Sequence, residues 1–194
     1  MKVAYTLAFV ASLTAGISLA WSGPVSETSA ATAAQRKVDH IEANGALAHP
    51  DPAPTQFTEQ EINAYIASGK VQLPEGVQSV HLVGMDGTVT GTARVDFDKV
   101  KTGRKSSNPL LSMFSGMHNV EVQAHAQGRN GTGIIHVDSV ALDGAEIPHF
   151  LLELFVDKYV APKYPGVGMD TQVPLPNKID SATIGQHNLT LIQK

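Results

Sequence analysis

The stretch MDGTVTGTARVDFD (residues 85–98) decides the fold class of this chain. Asp86-Gly87 is a preferred pair for a two-residue β-hairpin turn, because the type I′ turn needs a positive φ at both positions. Residues 88–98 then alternate strictly between apolar or small and polar side chains, which is the period of a strand with one buried face. The stretch therefore predicts an antiparallel sheet, whose inward positions on this strand are Val89, Gly91, Ala93, Val95 and Phe97.

The rest of the chain repeats this pattern of strands and turns. Residues 134–142 have an ambiguous apolar face, which predicts a β-bulge in that strand. We expect turns at residues 129–133 and 185–188. The other predicted strands are residues 77–83, 120–127 and 188–192.

Two segments predict helices. Thr58 precedes Glu61 by three positions, the spacing of a capping box, and Ile62, Tyr65 and Ile66 follow at helical spacing. Residues 148–160 (PHFLLELFVDKYV) carry an apolar arc wider than half the helix circumference, which predicts the most buried helix of the fold.

These elements together predict an α+β fold. We expect a curved antiparallel sheet of about five to seven strands. It should wrap against one strongly apolar helix (148–160) and one short amphipathic helix (58–68).

The chain divides into three predicted regions. Residues 1–20 contain a long uncharged stretch, which is either a secretory signal peptide or a membrane anchor, and residues 3–20 would form that membrane tether. Residues 21–56 are interrupted by PDPAP, and we expect a tether or linker there with at most a short helix. Residues 57–194 then form a single α+β domain.

A phrase also repeats along the chain: VQLPEGVQSVHL (residues 71–82) and VPLPNKIDSATI (residues 173–184) match in valine, leucine, proline and serine positions. Each phrase follows a predicted helix and leads into a predicted strand. A degenerate internal duplication would explain the match, and so would two unrelated strand starts.

Composition excludes several classes of function. The formal net charge is −4 and no run of lysine and arginine is long enough to indicate nucleic-acid binding. The absence of cysteine excludes disulfides and thiolate metal sites. The leader predicts an exported protein, periplasmic or extracellular. Without disulfides, such a protein would rely on an ordinary apolar core.

Small side chains on the inward strand faces are the candidate functional feature. They allow either close packing of the apolar helix or a preformed apolar cavity. The candidate lining residues for an apolar ligand, most plausibly a lipid, are Gly91, Ala93, Val95, Phe97, Val122, Ala124, Leu151, Leu154 and Phe155.

The leader, the helix FTEQEINAYI, the LP-x-G-V entry into a meander and the second LP phrase resemble bacterial exported lipid-binding domains of the tubular lipid-binding (TULIP-like) and AsmA-like kind. The resemblance covers roughly residues 57–194. It implies a curved sheet around an apolar helix, with acyl chains held between them and no chemistry. This chain departs from the pattern in its short repeat and thin first helix.

Polar residues give no catalytic constellation. His136 and Asp138 share a strand face but lack a third metal ligand, and Asp96 with Asp98 precedes a basic loop (Lys99, Lys101, Arg104, Lys105) that indicates a solvated edge, although that loop would also suit lipid head groups. The eight histidines show no metal-binding spacing. We therefore expect a non-enzymatic protein without cofactor or metal, either a lipid-binding protein or a structural or interaction protein of the cell envelope with a filled core.

Overall fold

A computed structural model of the chain describes residues 25–101 and 108–194. Within them the fold is α+β, with nine strands in one antiparallel sheet and four α-helices. The strands are β1 (Thr55–Thr58), β2 (Val77–Met85), β3 (Thr88–Asp96), β4 (Met117–Arg129), β5 (Thr132–Leu142), β6 (Ala145–Glu146), β7 (Asp170–Pro174), β8 (Ile179–Gly185) and β9 (Asn188–Gln193). The helices are α1 (Val25–Gly45), α2 (Glu59–Ala67), α3 (Phe97–Val100) and α4 (His149–Phe155), with a 3-10 turn at Pro109–Leu111 and a π-helical turn at Val156–Val160.

The sheet is built around β4. One edge of β4 pairs with both β3 and β8; β3 is followed by β2, and β8 is followed by β9 and then β1. The other edge of β4 pairs with β5, which in turn pairs with β6 and β7. Asp86-Gly87, Asn130-Gly131 and Asp143-Gly144 are the two-residue turns of three hairpins, and all six residues have a positive φ. The hairpin predicted at Asp86-Gly87 is therefore confirmed.

The number of strands differs from the prediction of about five to seven. Strands β1, β6 and β7 contain four, two and five residues, so they are too short to show an alternating pattern. The bulge predicted in residues 134–142 is confirmed, because the β4–β5 register shifts and leaves Asp138 without a partner.

Helix α2 confirms the capping box. The Thr58 hydroxyl accepts a hydrogen bond from Glu61 N at 3.2 Å, and Glu61 Oε2 accepts one from Thr58 N at 2.7 Å. These two bonds satisfy backbone donors that the first turn leaves unpaired.

Helix α1 lies where the sequence predicts a linker over residues 21–56 with at most a short helix. Its seam of Ala34, Val38 and Ile41 packs against a cluster that includes Phe57 and Leu191. Alanine contributes too little apolar area to be noticed in a search for large side chains, although Ala34 is fully buried. The structure thus adds α1 to the folded domain.

The apolar segment 148–160 is helical but divided. Helix α4 continues into the π-helical turn, and its buried side chains lie on one face. Phe150 and Leu154, on the other face, are 55% and 40% exposed. The helix is therefore buried on one face and exposed on the other.

The two LP phrases adopt closely similar backbone arrangements. Val77 N donates to Pro74 O, and Ile179 N donates to Pro176 O, at 3.0 Å in each case. Both strands then shift register directly after the first residue, between Val77 and Ser79 and between Ile179 and Ser181. The repeated phrase thus encodes a turn and a bulge that begin a hairpin.

Candidate functional site

Eight of the nine predicted lining residues fall into two groups in the structure. Val95, Phe97, Leu151 and Phe155 lie in a buried cluster at one end of the sheet, which we call the aromatic core. Its rings are in direct contact: the Phe97 and Phe155 centroids are 5.4 Å apart, and Phe114 and Phe155 are 4.4 Å apart. Residues in such close contact leave no space between them for a ligand. These four positions are packing contacts.

A second group lies on the face of the central strands. Cross-strand pairs Val89↔Ala124, Gly91↔Val122 and Ala93↔Val120 place these side chains on one side of the sheet. We call this face, together with Ala126, the apolar stripe. Ala124 is buried, and the other members are only partly covered.

The stripe continues onto β5. Ala124 packs with Ile135 and Val137, and the partly buried residues around these three include Val122, Ala126, Val140 and Met169. In the described part of the chain, Met169 is the one member of this group that comes from outside β4 and β5. Ala124, Ile135 and Val137 are therefore buried, whereas the stripe residues around them are only partly covered.

Leu154, the ninth predicted residue, lies apart from both groups on the outer face of α4. The structure therefore brings together Gly91, Ala93, Val122 and Ala124 on the stripe, and Val95, Phe97, Leu151 and Phe155 in the adjoining aromatic core.

Two open depressions occur on the surface. One of about 330 Å³ is bordered by Ser79, His81, Thr92, Ala93 and Arg94, among others. The other, of about 280 Å³, lies where β4 passes from β3 to β8. Of the nine predicted lining residues, Ala93 alone borders either depression, so a ligand on the stripe would bind to an open face.

The opposite face of the sheet is polar and carries histidine–carboxylate pairs. His136 Nδ1 lies 2.6 Å from Asp170 Oδ1, and His125 Nδ1 lies 2.7 Å from Asp138 Oδ2. The hydrogen bond with Asp170 raises the pKa of His136 above its usual value. His136 and Asp138, which the sequence pattern places on one strand face, are also close: His136 Nε2 lies 4.0 Å from Asp138 Oδ1.

Two further pairs hold turns in place. His118 Nδ1 lies 2.7 Å from Asp143 Oδ2, and this bond, with one to Ser115 O, raises the pKa of His118. His187 Nδ1 lies 2.7 Å from Glu59 Oε2. Across residues 25–101 and 108–194, no three histidine or carboxylate side chains are placed to hold a metal ion.

Asp96 and Asp98 have structural roles in the described residues. Asp96 Oδ1 accepts from Asp98 N at 3.1 Å and so caps α3, while Asp98 Oδ2 accepts from Gly116 N at 3.2 Å. Lys99 and Lys101 form ion pairs with the same two carboxylates. Arg104 and Lys105 lie outside the described residues, as does the predicted leader, residues 1–20.

Two features of the structure were not predicted from the sequence. Met169 lies in a Pro/Gly-rich segment with no periodic pattern, and α1 is fixed by the Lys37–Glu61 ion pair at 2.6 Å, which no local spacing indicates.

None of the helices in the described residues is long and apolar enough to cross a membrane. Comparison of the chain with protein-family models, curated proteins and solved structures gives no match.

Proposed function

We propose that this protein binds the apolar part of a lipid, or a ligand of similar chemistry, on the apolar stripe. The observation that carries this proposal is a continuous face of small and β-branched side chains that remains partly uncovered in the middle of a nine-stranded sheet. Burying apolar surface is worth about 25 cal/mol per Å², so a flexible acyl chain laid along this face gains free energy over its whole length.

The aromatic core forms one end of this site. Val95 follows Ala93 along the inward face of β3, and Phe97 then contacts Phe155 of α4. In this proposal the sheet curves towards α4, which supplies the second wall, and the packed rings stop the ligand from passing further. Leu151 and Phe155 act as the floor of the site rather than as its open lining.

The resemblance to TULIP-like and AsmA-like domains supports the same function. In the proposal, the chain is exported by its leader and carries or shuttles lipid outside the cytoplasm without chemistry. The charged pairs support the part of this proposal that involves no catalysis, because each pair holds a strand, a turn or a helix cap in place.

A second candidate function is a structural or interaction protein of the cell envelope. The close packing of Phe97, Phe114 and Phe155 favours it, because four of the predicted lining positions are already filled with side chains. In this case the stripe would be a surface and not a ligand site.

The test uses the full chain purified from an exporting bacterial host. Native mass spectrometry with lipid extraction, together with titration of a fluorescent fatty acid, measures uptake. We expect a lipid adduct in the wild type and its loss in Ala93→Phe. The matched control is Thr92→Phe, which adds the same ring to the polar face of the same strand and should retain uptake.

Each outcome has a distinct meaning. Loss of uptake in Thr92→Phe alone would place binding in the depression on the polar face. A wild type with a clean apo mass and no uptake would favour the envelope protein with a filled core. If Ala93→Phe does not fold, Ala126→Phe tests the more open end of the same stripe.

A further inference from the structure

The segment between the π-helical turn and β7 passes directly beside the apolar stripe. Its last five residues and the first residue of β7, together residues 165–170 (PGVGMD), form what we call the strap. Residues 165–169 have no helix or strand structure, and Gly166 has a φ of 86°, a conformation that side chains other than glycine's rarely adopt. The strap therefore connects two regular elements through a short irregular path.

Alternation directs two neighbouring strap residues to opposite faces of the sheet. Met169 packs against both the aromatic core and the cluster around Ala124. Asp170 lies on the polar face, opposite His136 in the β5–β7 register. One residue thus covers the apolar stripe while the next is held on the other side.

The strap is fastened by a small number of contacts. Val137 N donates to Met169 O at 2.8 Å, and the exposed His136–Asp170 pair closes at 2.6 Å. Gly168 and the buried Thr171 exchange two hydrogen bonds of 3.0 Å, which anchor the start of β7. Exposed ion pairs contribute little free energy, so releasing the Met169 end of the strap breaks one weak ion pair and one backbone hydrogen bond and leaves the Gly168–Thr171 bonds in place.

We propose that Met169 is the gate residue of the apolar site and that the strap is its movable cover, held closed by Asp170 on His136. This inference rests on the proposed function and names the residue that covers the part of the stripe between the aromatic core and the cluster around Ala124. Methionine suits the role because its unbranched thioether side chain adapts to irregular apolar surfaces. A ligand entering the stripe displaces the Met169 side chain from between the two clusters.

The gate is tested with N-phenyl-1-naphthylamine, an apolar probe whose fluorescence rises on transfer from water. Stopped-flow mixing with the full-length chain gives association rates for the wild type, Met169→Ala and Asp170→Asn. We expect both variants to bind the probe several-fold faster. The matched control is Met85→Ala, an exposed methionine beside the β2–β3 turn, which should bind at the wild-type rate.

The gate and the site fail in different ways. If Ala93→Phe removes probe binding while Met169→Ala binds at the wild-type rate, the gate is wrong and the proposed function stands. If the wild type binds no probe, the site fails and the gate fails with it.

Hydrogen exchange gives a second test of whether the His136–Asp170 pair holds the strap in place. The Val137 amide, whose acceptor is Met169 O, should exchange several-fold faster in Asp170→Asn than in the wild type, with exchange elsewhere in β4 and β5 unchanged. Equal exchange rates at Val137 would show that the His136–Asp170 pair does not hold the strap, and would overturn that part of the proposal.

Discussion

Asn63 pairs with the backbone of Leu82 as a neighbouring strand would. Its side-chain amide donates to Leu82 O, and its oxygen accepts from Leu82 N, both at 2.8 Å. Strand β2 is the last in its direction of the sheet, and an uncovered edge strand is a template for pairing with another chain. One α2 side chain therefore closes part of the sheet's edge.

Replacing Asn63 should expose this edge. Asn63→Ala removes two hydrogen bonds, and we expect the free energy of unfolding to fall by about 1–2 kcal/mol, with more oligomer formed on concentration. Chemical denaturation and light scattering measure the two effects. Gln60→Ala, an exposed position on the same helix, is the control, and equal behaviour of the two variants would contradict the role of Asn63.

Helix α1 should contribute to stability through its narrow seam. Ile41 is fully buried, so Ile41→Ala should lower the free energy of unfolding by about 2–5 kcal/mol through lost burial and a residual cavity. The neighbouring His40 is exposed, and His40→Ala should have little effect. A similar result for both in urea denaturation would indicate that α1 is not part of the cooperative unit.

The aromatic core gives a test that is independent of any ligand. Phe155 contacts three other rings, and Phe155→Ala should cost about 3–5 kcal/mol. Phe150 lies on the same helix with its side chain 55% exposed, so Phe150→Ala should cost far less. Thermal unfolding followed by circular dichroism distinguishes the two. Equal losses would show that the α4 face assignment is wrong.

The histidine pairs predict a pH dependence with a definite sign. The pKa values of His118 and His136 are raised in the folded state, chiefly by hydrogen bonds to Asp143 and Asp170. Their contribution is therefore fully present below the unfolded value of about 6.5 and is lost as pH rises through the folded pKa. Urea denaturation at pH 5.5 and pH 8.5 should show a smaller difference in His136→Gln than in the wild type.

NMR supplies the direct measurement for this pair. The titration midpoint of His136 should move down in Asp170→Asn, because the charge-assisted hydrogen bond is lost. An unchanged midpoint would contradict the assigned cause. The Asp143 carboxyl behaves oppositely: the Asn119 N–H and His118 lower its pKa, so its contribution is present above the ordinary aspartate pKa and is lost as the pH falls through the lowered value.

Local signals in the sequence were sufficient for much of the fold. The Asp86-Gly87 pair, the alternation after it and the Thr58–Glu61 capping box each act over a few residues. The structure places the turn and the capping box as predicted, while the strand predicted over residues 88–98 ends at Asp96, where α3 begins. Strand β7 and helix α1 are different, because they are stabilised by partners distant in sequence. Thr171 meets Ile135, and Ile41 meets Leu191, and no local pattern reports such contacts.

The candidate site was predictable only in part, for a similar reason. Alternation placed Gly91 and Ala93 on the apolar face, and the register then brought Val122 opposite Gly91. The sequence could not separate positions that face open space from positions that meet another ring, because that depends on where α4 crosses the end of the sheet. Phe155 and Leu154 are adjacent in sequence, yet one is core and the other is exposed.

The pairing of β1 with β9 has a consequence for synthesis. Thr55 lies opposite Leu191, and the Asn44 side chain donates to Gln193 Oε1 across 149 positions of the chain. Helix α1 and β1 are synthesised long before β9, the strand on which they dock, so they lack this partner until β9 has been made. The hairpins around β4 can form earlier from local contacts. Completion of the sheet is therefore a late event, and until then the edge of β1 that pairs with β9 stays open to other chains.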